Sequence, residues 1–227
     1  MARRQLAPRS LEREVYTVIR EEILLGLLAP GASLIEGQLS AELGVSKTPV
    51  REALIRLQRD GLVQIEPYRG ARVATPSVSD VRDAVEVRTW IETQIARHIA
   101  REASPKLLRE IEENIQETED ALERGDDEGF VKTVLGFSEL LLDASGNRYA
   151  KQVVESLRNV LALIANASRT TPGRRRESID EHRAIFAAIA AGDADAAEAA
   201  TRAHLESIKA GALQALEVSE ARAASAG

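Results

Sequence analysis

The sequence predicts a mainly α-helical chain in two parts: three short helices closed by a small β-wing, then an all-α antiparallel helical bundle. Three observations carry this. Apolar residues recur at helical spacing through most of the 227 residues. One near-alternating stretch, Leu62-Val63-Gln64-Ile65-Glu66, interrupts that period. Charge divides near Thr75: residues 1–75 hold 11 Lys+Arg against 9 Asp+Glu, and the remainder holds 19 against 27 of the chain's 30 and 36. The net charge of −6 therefore belongs to the second part, and a slightly basic module precedes an acidic one.

Leu11, Val15, Val18, Ile19, Ile23, Leu24 and Leu27 form one stripe and predict a helix over 11–27 that Pro30-Gly31 ends. Leu39 and Leu43 mark a shorter helix that stops at Gly44. The next helix has Thr48 as its cap and Pro49 at the first helical position, with Val50, Ala53, Leu54 and Leu57 as the buried stripe up to Gly61. Two strands, 62–66 and 72–75, flank the turn Pro67-Tyr68-Arg69-Gly70. Two helices joined at a tight Gly-Val-Ser turn and followed by a wing make an N-terminal winged helix-turn-helix.

Residues 76–80 read as a linker in which Ser77 or Ser79 caps the helix that Asp80 opens. From there the helical period breaks at Ser104-Pro105, Gly125-Asp126, Ser145-Gly146-Asn147, Thr171-Pro172-Gly173 and Gly192-Asp193, which gives six helices. The expected organisation is a DNA-facing module over 1–75, a linker, a helical domain over 81–218 and a disordered Ala- and Ser-rich tail over 219–227.

The absence of cysteine excludes disulfide frameworks, Cys-based zinc sites and cysteine nucleophiles. There is no Gly-rich phosphate loop and no carboxylate–histidine arrangement at hydrolase spacing, so an enzyme is not expected. The basic N-terminus lacks a following apolar segment, and no apolar run approaches membrane-spanning length. A cytoplasmic protein with no membrane partner is the expectation.

Ser46, Lys47, Thr48 and Arg51 fall on the first turns of the third helix, away from its apolar stripe. Arg51 suits a bidentate contact to guanine O6 and N7, Lys47 a base edge or a phosphate, and Ser46 and Thr48 phosphate oxygens. Arg69 and Gly70, at the wing tip, suit the backbone or the minor groove. Taken alone, Arg51 is equally a solvated charge on an ordinary helix. The string from Leu39-Ser40-Ala41-Glu42-Leu43-Gly44-Val45-Ser46-Lys47 through Thr48-Pro49-Val50-Arg51-Glu52-Ala53-Leu54, followed by Leu57 and Asp60-Gly61-Leu62-Val63, resembles the signature of GntR-family regulators. Lys47 stands where that family usually has arginine, and Gly37 lacks the side chain with which some members reach DNA. The resemblance implies double-stranded operator DNA as partner, a homodimer built largely by the C-terminal domain, and repression of transcription.

Three later segments resemble the FCD-type effector domain of the fatty-acid-regulator-like (FadR) subfamily: Glu86 to Glu92, Phe137 to Asn147, and Glu181-His182-Arg183-Ala184-Ile185 leading to Gly192-Asp193 and His204. Arg88 and Glu92 lie on the core-facing stripe Val81, Val85, Arg88, Glu92, Ile95, Ile99. They are either a buried i,i+4 ion pair with no ligand or part of a pocket. His182 shares a face with Ile185, Phe186 and Ile189, and His204 with Ile208; His98 matches no motif and reads as surface. The resemblance implies a small-molecule effector, and Arg88, Ser138, His182 and His204 are the candidate contacts for a small organic acid. Many relatives hold a divalent metal with an aspartate and a histidine one turn apart plus the two later histidines. Counting back from Ser145-Gly146-Asn147 puts the first pair on Val134 and Ser138, neither a strong ligand, so no cofactor is expected. A metal, if bound, would use His182 and His204, with Glu139 or Asp143 as stand-ins. The alternatives are a metal-dependent FCD-type sensor and a DNA-binding dimer with no effector.

Overall fold

The computed structural model describes residues 11–66, 70–169 and 173–225. It divides into two compact units, Met1–Thr75 and Pro76–Gly227.

In the first unit, α1 (Leu11–Leu24) packs along α3 (Lys47–Arg59), with α2 (Glu36–Glu42) between them in sequence. Val15, Ile19 and Ile23 supply the buried face of α1, and Val50, Ala53, Leu54 and Leu57 that of α3. The Tyr16 hydroxyl donates to Asp60 Oδ2 at 2.6 Å, and the Arg56 guanidinium lies 3.9 Å over the Tyr16 ring, so the end of α3 is tied back to α1. Strands β2 (Val63–Glu66) and β3 (Gly70–Val73) form the antiparallel wing. A third strand, β1 (Ser33–Leu34), pairs with β3 and makes the sheet order β1-β3-β2. The two-stranded expectation missed β1 because two residues are too few to show a period. The first helix stops at Leu24 rather than Leu27, ahead of Gly26 at φ +78°. The cap of α3 is Ser46, not Thr48, which leaves Pro49 third in the helix, still within the first turn where its missing N–H costs nothing.

The second unit is wholly helical in its described residues. Seven helices follow one another: α4 (Val78–Glu102), α5 (Pro105–Arg124), α6 (Asp127–Ala144), α7 (Arg148–Ser156), α8 (Arg158–Arg169), α9 (Arg174–Ala190) and α10 (Ala194–Ser225). Helix α10 is the spine, packed against α4, α8 and α9, while α5 lies on α6 and α9. The seventh helix comes from a break at Leu157 (φ −93°, ψ 0°), where neither glycine nor proline announces it. Helix α4 opens at Val78, inside the stretch expected as a linker. Ser77 and Asp80 form a reciprocal capping box there, with Ser77 Oγ accepting from the Asp80 N–H and Asp80 Oδ2 accepting from the Ser77 N–H at 2.8 Å. At the other end, α10 continues to Ser225 through residues expected to fray, since alanine is the best helix former. No helix among the described residues is long and apolar enough to cross a membrane.

Candidate functional site

The helix-turn-helix unit presents Ser46, Lys47, Thr48 and Arg51 to solvent at the start of α3, because the buried stripe occupies the opposite face. The Ser46 side chain makes no capping hydrogen bond, which leaves its hydroxyl available. Gly70 is exposed at the start of β3 with φ +81°, a left-handed conformation that glycine adopts without strain. Arg69 lies outside the described residues.

Arg51 has a partner that sequence reasoning did not name. Its Nε and Nη2 donate to the two carboxylate oxygens of Glu36 at 2.9 and 2.7 Å. These bonds hold the Glu36 carboxyl below its ordinary range; burial opposes the shift, and the charges of Arg51 and Lys47 assist it. The Lys47 stem also passes close to Gly37, where an added Cβ would lie 3.9 Å from Lys47 Cε. The first turn of α2 and the first turn of α3 thus form one exposed face.

The helical unit gathers its charged core residues where α4, α6, α9 and α10 meet. Arg88 and Glu92 are paired along α4, with Arg88 Nε and Nη2 donating to the carboxylate at 2.6 and 3.0 Å. His182, on α9, is 1% exposed and stacks on Phe137 of α6, ring centroids 3.9 Å apart and planes 6° from parallel. His204, on α10, meets His182 edge to face at 4.9 Å, and its Nδ1 bonds to Glu181 Oε2 at 2.6 Å. The same carboxylate oxygen accepts from Arg174 Nη2 at 2.8 Å. Arg174 is 4% exposed and was not singled out from sequence, since it begins the run Arg174-Arg175-Arg176 that resembles a solvated patch. Neither ring nitrogen of His182, nor Nε or Nη1 of Arg174, has a hydrogen-bond partner among the described residues. Ser138 is half-buried; Phe137 is the α6 side chain stacked on His182. His98 is exposed beside Glu102.

Burial, together with the positive surroundings of His204, Arg174 and Arg88, holds His182 well below its ordinary value of 6.5. It is neutral at pH 7. Glu181 is also held low: burial alone would raise it, but His204, Ser207 and Arg174 outweigh that effect. A depressed histidine makes the unfolded chain the stronger proton binder, so its contribution to stability is complete above 6.5 and is lost as pH falls below it. The expected slope in that window is up to about 1.4 kcal/mol per pH unit. Glu181 adds its own loss only below 4.5, which keeps the two separable. Denaturation midpoints measured against pH should lose the slope near neutrality in His182→Gln. An identical slope in that variant would show that another group titrates.

A divalent metal does not fit these residues. Val134 and Ser138 offer no strong ligand, His204 Nδ1 is already bonded to Glu181, and the described residues contain no group of three His, Cys, Asp or Glu placed to hold an ion. The stand-ins Glu139 and Asp143 are exposed and line an acidic groove between α5 and α6 with Glu110, Glu113 and Glu117; Asp143 is paired with Lys151.

An exposed cationic helix start beside a β-wing, followed by a helical unit with a buried polar centre, defines a winged-helix transcription regulator rather than an enzyme. The chain belongs to the GntR family: residues 11–73 match the bacterial regulatory proteins of the gntR family and residues 83–207 match the FCD domain. It is 31% identical over 205 residues to the HTH-type transcriptional repressor RspR of Escherichia coli, covering 90% of each chain. It is 27% identical over 186 residues to the HTH-type transcriptional regulator McbR of the same organism, covering 81% of this chain and 84% of that one. The solved structure of E. coli McbR/YncC shares the fold at a TM-score of 0.71 and 24% identity, covering 91% of this chain and 99% of that one.

Proposed function

We propose that this regulator is a cytoplasmic homodimeric repressor that holds operator DNA through Ser46, Lys47, Thr48, Arg51 and the wing at Arg69-Gly70, and is controlled by a small organic acid in the pocket of Arg88, Ser138, His182 and His204. The observation that carries the effector half is the buried, unpartnered His182 beside His204, since a fully buried imidazole with two unused nitrogens waits for a hydrogen-bonding partner. On the DNA side, Glu36 grips the Nε edge of Arg51 and leaves the outer edge of the guanidinium to meet a base. The name of RspR, a repressor, supports repression here. The direct test is a gel shift on the gene's own upstream region with and without organic acids. An effect of acid on the wild type that His182→Ala abolishes supports the assignment; operator binding indifferent to every acid counts against it. The closed Arg88–Glu92 pair favours a second reading, a DNA-binding dimer with no effector, and thermal-shift screening separates the two.

Two-fold assembly is supported by Trp90, the chain's single tryptophan, which is 63% exposed on α4 amid Arg82, Glu86, Arg202, Glu206 and Lys209. A large aromatic ringed by mixed charge resembles the anchor and rim of an interface. The full chain is expected to sediment as a dimer at micromolar concentration, and Trp90→Asp as a monomer with weakened operator binding. A Trp90→Asp protein that remains dimeric would move the interface elsewhere.

A further inference from the structure

Two arginines are buried among the described residues of the helical unit, and one has a carboxylate paired to it by two bonds while the other shares one. The Nε and Nη2 of Arg88 are both engaged by Glu92, so its charge is already met by a two-bond pair with a carboxylate. Arg174 spends only Nη2, on Glu181, and leaves Nε and Nη1 without a partner among the described residues although the side chain is 4% exposed. A permanently charged group in that state is costly, and a carboxylate is the partner whose charge and acceptor oxygens match it. The groups around it tell the same way. Glu181 is the carboxylate that meets Arg174, and its Oε2 is shared with His204 Nδ1, so Arg174 has it only in part. Phe137, stacked on His182, closes the α6 side with an apolar ring.

We propose that Arg174 is the anchor of the effector's anionic group, a carboxylate held directly by the unpartnered guanidinium nitrogens with His182 beside it, and no ion between. This rests on the pocket assignment above and deepens it, moving the charge recognition from Arg88 to Arg174. Neutral His182 offers one N–H and one lone pair, so it pairs best with a ligand hydroxyl next to the carboxylate. Glycolate is therefore expected to bind more tightly than acetate, and glycolamide not at all.

The experiment is calorimetric titration of the full-length protein with acetate, glycolate, succinate, gluconate and the amide glycolamide, repeated on Arg174→Gln and Arg88→Gln. The expected result is binding of at least one acid but not the amide, about thirtyfold weaker or worse in Arg174→Gln and less affected in Arg88→Gln. The ring proton resonances of His182 should move on acid addition in the wild type and stay still in Arg174→Gln. Should Arg174→Gln fail to fold, Arg174→Lys keeps the charge but loses the second free nitrogen, and it should show the same loss of acid affinity with the fold retained. Equal acid affinity in the folded Arg174 variant overturns the anchor while leaving the pocket in place, as does tight binding of glycolamide. Absence of acid binding up to millimolar concentration also overturns it. The pocket assignment itself fails only if, in addition, neutral polyols give no melting shift that His204→Ala removes.

Discussion

Arg51→Ala is expected to lower discrimination between the operator and unrelated DNA about 10- to 100-fold and to relax one base position in each half-site. The effect is large because the side chain projects from the start of α3 and is held in one orientation by two bonds to Glu36. A guanidinium fixed on its inner edge loses little freedom when its outer edge meets a base, which is the condition for a specific contact rather than a loose phosphate contact. Glu36→Gln supplies the control. It removes a negative charge lying against Arg51 and Lys47, so non-specific affinity should rise and its salt dependence steepen, while operator discrimination falls. Fluorescence anisotropy on operator and scrambled duplexes over a salt series reads both quantities. Unchanged discrimination in Arg51→Ala would reassign base reading to Lys47 or the wing.

Phe137→Ala is expected to cost about 3–5 kcal/mol of stability, the range for emptying a buried phenylalanine site. Phe137 is 2% exposed on the seam Phe130, Phe137, Leu141 of α6, and its ring is the stacking partner of His182. Two consequences separate this from a generic core lesion. The gap opens beside an uncharged, unpartnered imidazole, so water entering it should raise the His182 titration toward its ordinary value and flatten the pH dependence of stability. Ser138→Ala, one residue away, should change stability by less than about 0.5 kcal/mol, because that hydroxyl is half-buried and has no hydrogen-bond partner to lose among the described residues. Chemical denaturation followed by circular dichroism checks both, and a loss below about 1 kcal/mol in Phe137→Ala would mean that α9 and α10 collapse onto the vacated space.

By itself the sequence determined the features that local chemistry controls. The stripes of α1 and α3, the stop at Gly44, a serine cap for α4 at Ser77 or Ser79, and the inward-facing Arg88 and Glu92 all follow from spacing within one or two turns, and neighbouring residues are enough to set them. The signature from Leu39 to Val63 marked the exposed face at the start of α3 for the same reason, since its residues lie on consecutive elements. Tertiary structure decided what depends on groups distant in the chain. Glu36 and Arg51 are 15 positions apart and meet only because α2 and α3 fold together. Phe137 and His182 stack because α6 and α9 share one core, and no period along either helix records the other. Arg174 looks like its neighbours Arg175 and Arg176 in sequence, yet it is the buried one, half-neutralised by Glu181. Burial and pairing of a charge are sums over every element packed around it, whereas hydrophobic period and capping are properties of one segment, and this difference separates what could be read from the chain from what the fold had to supply.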